Sequence, residues 1–192
     1  MNKQTLRKIF LDKRRRLTES EYEWRCTAIA ENFINQVNWK DHSCIHTFLP
    51  IIKHREINTF QIIEKLRSEN WSGKFVTGVS DFKYNTMKTY LLEESTTLKQ
   101  NHWGIPEPVD SIEICDSEID MVITPLVVAD KTGHRIGYGK GFYDIFFKKL
   151  NPRTKKVGLS LSLPLDPLEY FNSFDMNLDI LVTPYNIYNF NS

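Results

Sequence analysis

One stretch of fifteen residues, Asp130-Lys131-Thr132-Gly133-His134-Arg135-Ile136-Gly137-Tyr138-Gly139-Lys140-Gly141-Phe142-Tyr143-Asp144, constrains this chain more than any other. Four of the eight glycines fall inside it, and Gly137, Gly139 and Gly141 alternate with Tyr138 and Lys140. Glycine has no Cβ, so such a run reaches positive φ and lets a ligand approach the main chain. Consecutive free N–H groups make a concave anion site, and a helix starting just afterwards adds the positive end of its dipole. The apolar run before it, Met121 to Val128, reads as a buried strand. The run after it, Phe142 to Leu150, reads as a helix. A strand, a glycine-rich turn flanked by Arg135 and Lys140, and a helix together place a phosphate here. Two familiar phosphate loops are excluded by spacing. Gly141 follows the lysine where a P-loop carries Ser or Thr. Alternating glycines also do not fit G-x-G-x-x-G. Spacing alone leaves a plain connector open as the alternative.

The rest of the chain reads as strands alternating with helices. Residues 3–17 carry Leu6, Ile9, Phe10 and Leu17 at helical spacing, with Lys3, Arg7 and Arg14 along the edge of that stripe. Seven of the first 16 residues are Lys or Arg, so a solvated basic face or an RNA patch is open for this helix. Thr18-Glu19-Ser20-Glu21 is a capping box opening a second helix to about Val37, whose buried face includes Tyr22, Cys26, Ile29 and Phe33. Cys44 to Pro50 reads as a strand, with His46 a structural strand residue. Glu56 precedes a helix that Thr59 would cap; a carboxylate there favours the positive helix end. Lys74–Val79 and Met87–Leu92 read as strands joined by a turn at Asp81–Asn85, and 93–102 as a polar connector. In Trp103-Gly104-Ile105-Pro106-Glu107-Pro108 the prolines hold the backbone extended around Glu107. Trp103 offers a flat face to a ring or serves the core. Lys156–Ser160 and the segment from Phe174 to Pro184 supply the last strands.

This alternation predicts an α/β chain: one layered α/β/α domain over residues 1–192 with a largely parallel, Rossmann-like sheet. Ligands then sit at the carboxyl ends of strands, where Pro50, Pro125 and the glycine-rich turn converge. No apolar run approaches the ~18 residues of a membrane span. Three scattered cysteines without C-x-x-C spacing indicate reduced thiols and a cytoplasmic setting. A net charge of +1 argues against nucleic acid as partner of the whole surface. No membrane partner is expected, and the chain is read as a monomer acting on small molecules.

The glycine-rich stretch, as Asp-x-x-Gly-x-Arg-Ile-Gly-Tyr-Gly-Lys-Gly-Phe-Tyr-Asp, resembles the signature of the 5-formyltetrahydrofolate cyclo-ligase family, also called methenyltetrahydrofolate synthetase. The likeness runs from Lys3 to Thr183 and is densest over 120–144. It implies conversion of 5-formyltetrahydrofolate to 5,10-methenyltetrahydrofolate with ATP as co-substrate and Mg²⁺ as cofactor. Lys3-Gln4-Thr5-Leu6-Arg7 matches the family's Lys-x-x-x-Arg helix, whose cations hold ATP phosphates. By the same likeness Arg135, Ile136, Gly137, Tyr138, Gly139, Lys140, Gly141, Phe142 and Tyr143 bind ATP. Lys140 and Arg135 act as catalytic cations, with Lys140 following the moving γ-phosphoryl group. Leu49, Glu56, Trp103, Glu107, Tyr138 and Phe142 are expected against the folate. The family's pair of aspartates four residues apart matches Asp175 and Asp179. Asp144 and Asp179 are the expected Mg²⁺ ligands, with Asp175 a turn former. Three positions depart from the family: Phe142 where Tyr is common, Leu126 where Gly is common and Ala129 where an aromatic is usual.

Overall fold

The computed structural model describes residues 1–84, 86–169 and 175–190. In chain order the elements are α1 (Lys3–Arg15), α2 (Glu19–Gln36), β1 (Cys44–Thr47), α3 (Phe60–Ser68), β2 (Lys74–Asp81), β3 (Thr86–Leu91), β4 (Leu98–Gln100), β5 (Pro106–Pro108), β6 (Met121–Pro125), β7 (Val128–Ala129), β8 (Arg135–Ile136), α4 (Phe142–Phe147), β9 (Lys155–Leu159), β10 (Ile180–Val182) and β11 (Ile187–Asn189). Seven strands form the main sheet in the order β11-β10-β9-β6-β1-β2-β3. The five inner strands are parallel, and the edges β3 and β11 run antiparallel to their neighbours. This is the largely parallel α/β sheet that the alternation predicts.

Side-chain alternation decides what covers each face. Ile45, Phe75, Met121, Ile123, Val157 and Val182 point to the face where α2 and α3 pack, with Phe33, Ile62 and Leu66. Cys44, Val76 and Val122 point the other way, onto Phe146 and Phe147 of α4. Both faces of the inner strands are therefore dry, which is why they read as apolar runs without polar alternation. The capping box at Thr18 and Glu21 is formed in both directions. Thr59 does not cap α3; its hydroxyl donates to the Phe48 carbonyl at 2.7 Å and ties the helix start to the end of β1. The turn after β2 is held by Asp81 Oδ1, which accepts from the N–H groups of Lys83 and Tyr84, while Asn85 and Phe174 lie outside the described residues.

Strand order fixes where a ligand can sit. Taken along the sheet, the parallel strands run β2-β1-β6-β9-β10, so the chain moves to one side after β1 and to the other after β6. A crevice opens at the carboxyl ends of β1 and β6, where the connections diverge. The segment after β6 does not go straight into a helix. It folds back as a small ribbon in which Val128 pairs with Ile136 and Ala129 with Arg135. Leu6 and Phe10 of α1 pack on Val128 and Ile136 of this ribbon. That apolar contact, with Arg7 on the Gly137 carbonyl and Lys3 on Asp175, sets the first helix over the crevice.

His46 is fully buried on β1 with both ring nitrogens unpartnered among the described residues. Its ring lies against Tyr143 and Phe146. Burial lowers its pKa from 6.5 to about 3. The unfolded chain therefore binds a proton between those values that the folded chain refuses, and stability rises with pH across that window. Acidifying from pH 7 to pH 5 is expected to remove about 2 kcal/mol through this one residue. In urea titrations at the two pH values, His46→Leu should lose most of that difference. An unchanged acid-side slope in the variant rejects the assignment.

Candidate active site

The crevice holds a cavity of about 480 Å³. Its roof is α1. Lys3 and Arg7 stand one turn apart on the face towards the cavity. Arg7 Nε donates to the Gly137 carbonyl at 2.7 Å. A Cβ on Gly139 would lie 3.1 Å from the Arg7 guanidinium carbon, and the residue has φ +94°. The positive φ favours glycine at 139, and a Cβ there would press on the arginine above it. Gly141, at φ +71°, turns the chain into α4. The N–H groups of residues 137–141 have no acceptor among the described residues. Successive open main-chain donors of this kind suit an anion.

The two cations of the glycine-rich stretch do different jobs. Lys140 is exposed at the cavity and makes no ion pair or hydrogen bond among the described residues. Arg135 is buried. Its Nη1 donates to the Met176 carbonyl at 2.5 Å, its Nη2 to Asp144 Oδ1 at 2.8 Å, and its guanidinium lies 5.0 Å from the Phe147 ring centre. The Met176 N–H donates to the same Asp144 oxygen at 3.2 Å. Arg135 fastens Asp144 and the 175–176 segment to the cavity wall. Lys3 pairs with Asp175 at 2.5 Å, so the Asp144 and Asp175 carboxylates border one cavity, each held by its own cation.

Asp179 does not join them. It precedes β10 at the amino end of the sheet, the end opposite the cavity. There it accepts from the Lys156 N–H at 2.6 Å and pairs with Lys156 Nζ at 3.0 Å. This placement keeps its carboxylate, an expected Mg²⁺ ligand, out of the cavity lining; it extends the ladder where β9 and β10 begin. Asp175, expected as a turn former, is the aspartate that reaches the cavity. Sequence offered both, and only the descent of the chain between them decides.

Other expected contacts divide the same way. Leu49, Glu56, Ile136, Tyr138, Phe142 and Tyr143 line the cavity. Glu56 is buried, and its Oε2 accepts from the Ile51 N–H at 2.8 Å. Burial and then the Glu56 charge push the Tyr143 phenol above its usual range, so it stays a neutral hydroxyl. Gln4 and Thr5 are exposed on the far side of α1, and Leu6 is spent on the ribbon; none of the three lines the cavity. Trp103 is 45% exposed at the rim, tilted at 44° against Phe82, which in turn meets Phe142 edge-on. Phe82 is the aromatic wall that sequence reading missed. Glu107 is turned away. It accepts from Asn101 Nδ2 at 2.7 Å and braces the β4–β5 hairpin, while its neighbours Ile105 and Pro106 face the cavity. Gly78, Ser80 and Met87 of the β2–β3 hairpin complete the wall. The only sequence signal for them was the hairpin itself.

Comparison with known proteins agrees with this fold. The profile of the 5-formyltetrahydrofolate cyclo-ligase family matches residues 1–184. A probable 5-formyltetrahydrofolate cyclo-ligase of Schizosaccharomyces pombe is 28% identical over 201 residues, covering 96% of each chain. The 5-formyltetrahydrofolate cyclo-ligase of Haemophilus influenzae is 31% identical over 130 residues, covering 67% of this chain and 66% of its own. The structure of Aquifex aeolicus 5,10-methenyltetrahydrofolate synthetase superposes with a TM-score of 0.77 at 25% identity, over all of this chain and 94% of that one. With the matched profile spanning nearly its whole length, and the glycine-rich turn folded over a cavity at the sheet's switch point, this chain belongs to the 5-formyltetrahydrofolate cyclo-ligase family.

Proposed function

We propose that this protein converts 5-formyltetrahydrofolate to 5,10-methenyltetrahydrofolate, using ATP and Mg²⁺ and releasing ADP and phosphate. One observation carries the reading: Lys3 and Arg7 of α1, the free N–H groups of 137–141, Lys140, and the carboxylates of Asp144 and Asp175 all border one cavity. Cations and main-chain donors suit a triphosphate. The Phe142 and Phe82 rings with Leu49 and Ile105 suit a flat heteroaromatic body, and Glu56 supplies a buried acceptor for its N–H groups.

An N-formyl group is an amide and a poor electrophile. Transfer of the γ-phosphoryl group to the formyl oxygen makes that oxygen a leaving group. N10 then attacks the formyl carbon and gives up its proton, phosphate departs with the oxygen and takes up that proton, and the five-membered methenyl ring closes. Phosphoryl transfer asks the protein for position and charge compensation rather than for a nucleophile. The cavity offers both, and no activated Ser or Cys is needed. Lys3 and Arg7 hold the phosphates from above, Lys140 follows the transferred group, and the 137–141 N–H groups take its oxygens.

Asp144 and Asp175 fit Mg²⁺, which takes one or two carboxylates and completes its shell with water and phosphate oxygens. Bound there, the ion would offset phosphate charge. The chain's own residues keep both carboxylates in place, through Arg135 and Lys3.

The test is formation of the methenyl product, followed by its near-ultraviolet absorbance, with and without ATP and Mg²⁺. Product that forms only when both are present supports the reading; no product with both present rejects it. In the same assay Asp175→Asn should raise the Mg²⁺ concentration needed for half-maximal rate at least tenfold. Asp179→Asn should leave it unchanged. A reversed pattern would return the metal to Asp179.

A further inference from the structure

A second cavity, also about 480 Å³, lies between α1 and α2 on the far side of the Tyr138 ring. It is contiguous with the first: Phe48, Glu56, Pro125 and Tyr138 line both. Its size falls within the ~300–1,000 Å³ usual for small-molecule sites. The floor is apolar and partly aromatic, with Phe10, Leu161 and Tyr185. Its charged lining is unbalanced. Arg14, Arg25, Lys13 and Arg16 face Glu21 and Glu56, and both carboxylates are already engaged, Glu21 in the capping box and Glu56 by the Ile51 N–H.

Two of those arginines are half satisfied. Arg14 Nη1 donates to the Tyr138 hydroxyl at 2.6 Å, and Arg25 Nη1 to the Leu161 carbonyl at 2.7 Å. The Nε atom of each is buried and has no acceptor among the described residues. An unmet buried donor on a charged group costs free energy that an anionic acceptor would recover. Guanidinium groups bind carboxylates through paired N–H donors.

The reading above supplies a ligand of matching chemistry. A folate has a heteroaromatic head, then N10 and a p-aminobenzoyl ring, then a glutamyl group with two carboxylates. We propose that the second cavity takes the p-aminobenzoylglutamyl half of the substrate, with Arg25 and Arg14 receiving its carboxylates. The head occupies the first cavity beside the glycine-rich turn. The benzoyl ring passes the Tyr138 side chain, which pivots on Gly137 and Gly139. Arg25 is then a specificity residue that acts on the tail and touches no reacting atom.

This inference rests on the proposed activity, and a chosen pair of substrates separates the two. One is 5-formyltetrahydrofolate; the other is its analogue with both glutamyl carboxylates converted to amides, which keeps N10 and the formyl group. In the wild-type protein the diamide is expected to show a KM at least tenfold higher. Arg25→Gln should raise KM for the folate by a similar factor, leave KM for the diamide within threefold, and erase the preference. Leu163→Trp, at an exposed position on the cavity mouth, should raise KM for the folate without lowering the melting temperature, and covers the case in which Arg25→Gln fails to fold. Titration calorimetry with p-aminobenzoylglutamate alone should show binding to the wild type that Arg25→Gln weakens at least tenfold. Equal KM values for folate and diamide in the wild type overturn the tail placement while leaving the cyclo-ligase activity standing. So does a preference that survives both substitutions. No turnover of either compound with ATP and Mg²⁺ removes the activity itself.

Discussion

Lys140→Ala should lower the rate of methenyl product formation by about 10²–10³-fold or more while leaving the fold intact. Two features of this side chain set the expectation. It projects from the glycine-rich turn into the cavity, beside the free N–H groups, where the transferred phosphoryl group would be held. It is also exposed and unengaged among the described residues, so its removal strips nothing from the folded protein. Surface substitutions of that kind change stability by no more than ~0.5 kcal/mol. The melting temperature should therefore stay within about 2 °C. Lys140→Arg keeps the charge on a wider, planar group and should recover part of the rate. Stopped-flow absorbance under single-turnover conditions separates chemistry from product release. A well-folded Lys140→Ala protein with near-normal single-turnover rates would remove Lys140 from the mechanism.

Arg135→Met should behave in the opposite way, as a loss of fold stability first. Its guanidinium has a side chain only 5% exposed, joins Asp144 to the Met176 carbonyl and stacks near Phe147. Taking away one partner of a buried ion pair typically costs about 3–5 kcal/mol, because the other charge is left unpaired. Asp144 remains partly solvated, at 28% side-chain exposure, so the lower end applies. A loss of about 3 kcal/mol lowers the melting temperature by roughly 6–12 °C for a chain of this size. Activity should fall as well, since both the Asp144 carboxylate and the 175–176 segment lose their anchor. Arg135→Lys should restore less than half the stability, because an ammonium cannot reach both acceptors with a fixed fork. Arg135→Met combined with Asp144→Leu, which removes both charges, should be more stable than Arg135→Met alone. If Arg135→Met melts like the wild type, the anchoring role is wrong.

These two residues show where sequence reading stops. Five positions apart in one motif, Arg135 and Lys140 look alike as cations beside glycines. Only the paired ribbon of Val128–Ala129 with Arg135–Ile136 buries one in hydrogen bonds at the cavity wall and leaves the other exposed at the cavity. The aspartates repeat the lesson. Asp175 and Asp179 are four residues apart, which at up to ~3.3–3.6 Å per residue spans as much as ~14 Å. That is enough for the chain to run from the cavity to the opposite end of the sheet. A spacing rule sees two equivalent carboxylates where the fold provides one at the site and one at a strand start.

What the amino-acid order determined by itself is local and periodic. The apolar runs at 44–49, 74–79 and 121–125 are strands because both faces of a parallel sheet are covered. The capping box starts α2 because Thr18 and Glu21 complete each other's hydrogen bonds without help from the rest of the chain. The glycine-rich turn follows from backbone freedom that only glycine has. What the tertiary structure decided is the choice among equivalent side chains: Asp175 over Asp179, Phe82 over Trp103, Ile105 and Pro106 over Glu107, and Lys3 and Arg7 without the three residues between them. Those choices depend on which strand lies beside which and on how α1 docks on the ribbon. They are contacts between residues far apart in the chain, and no local period encodes them.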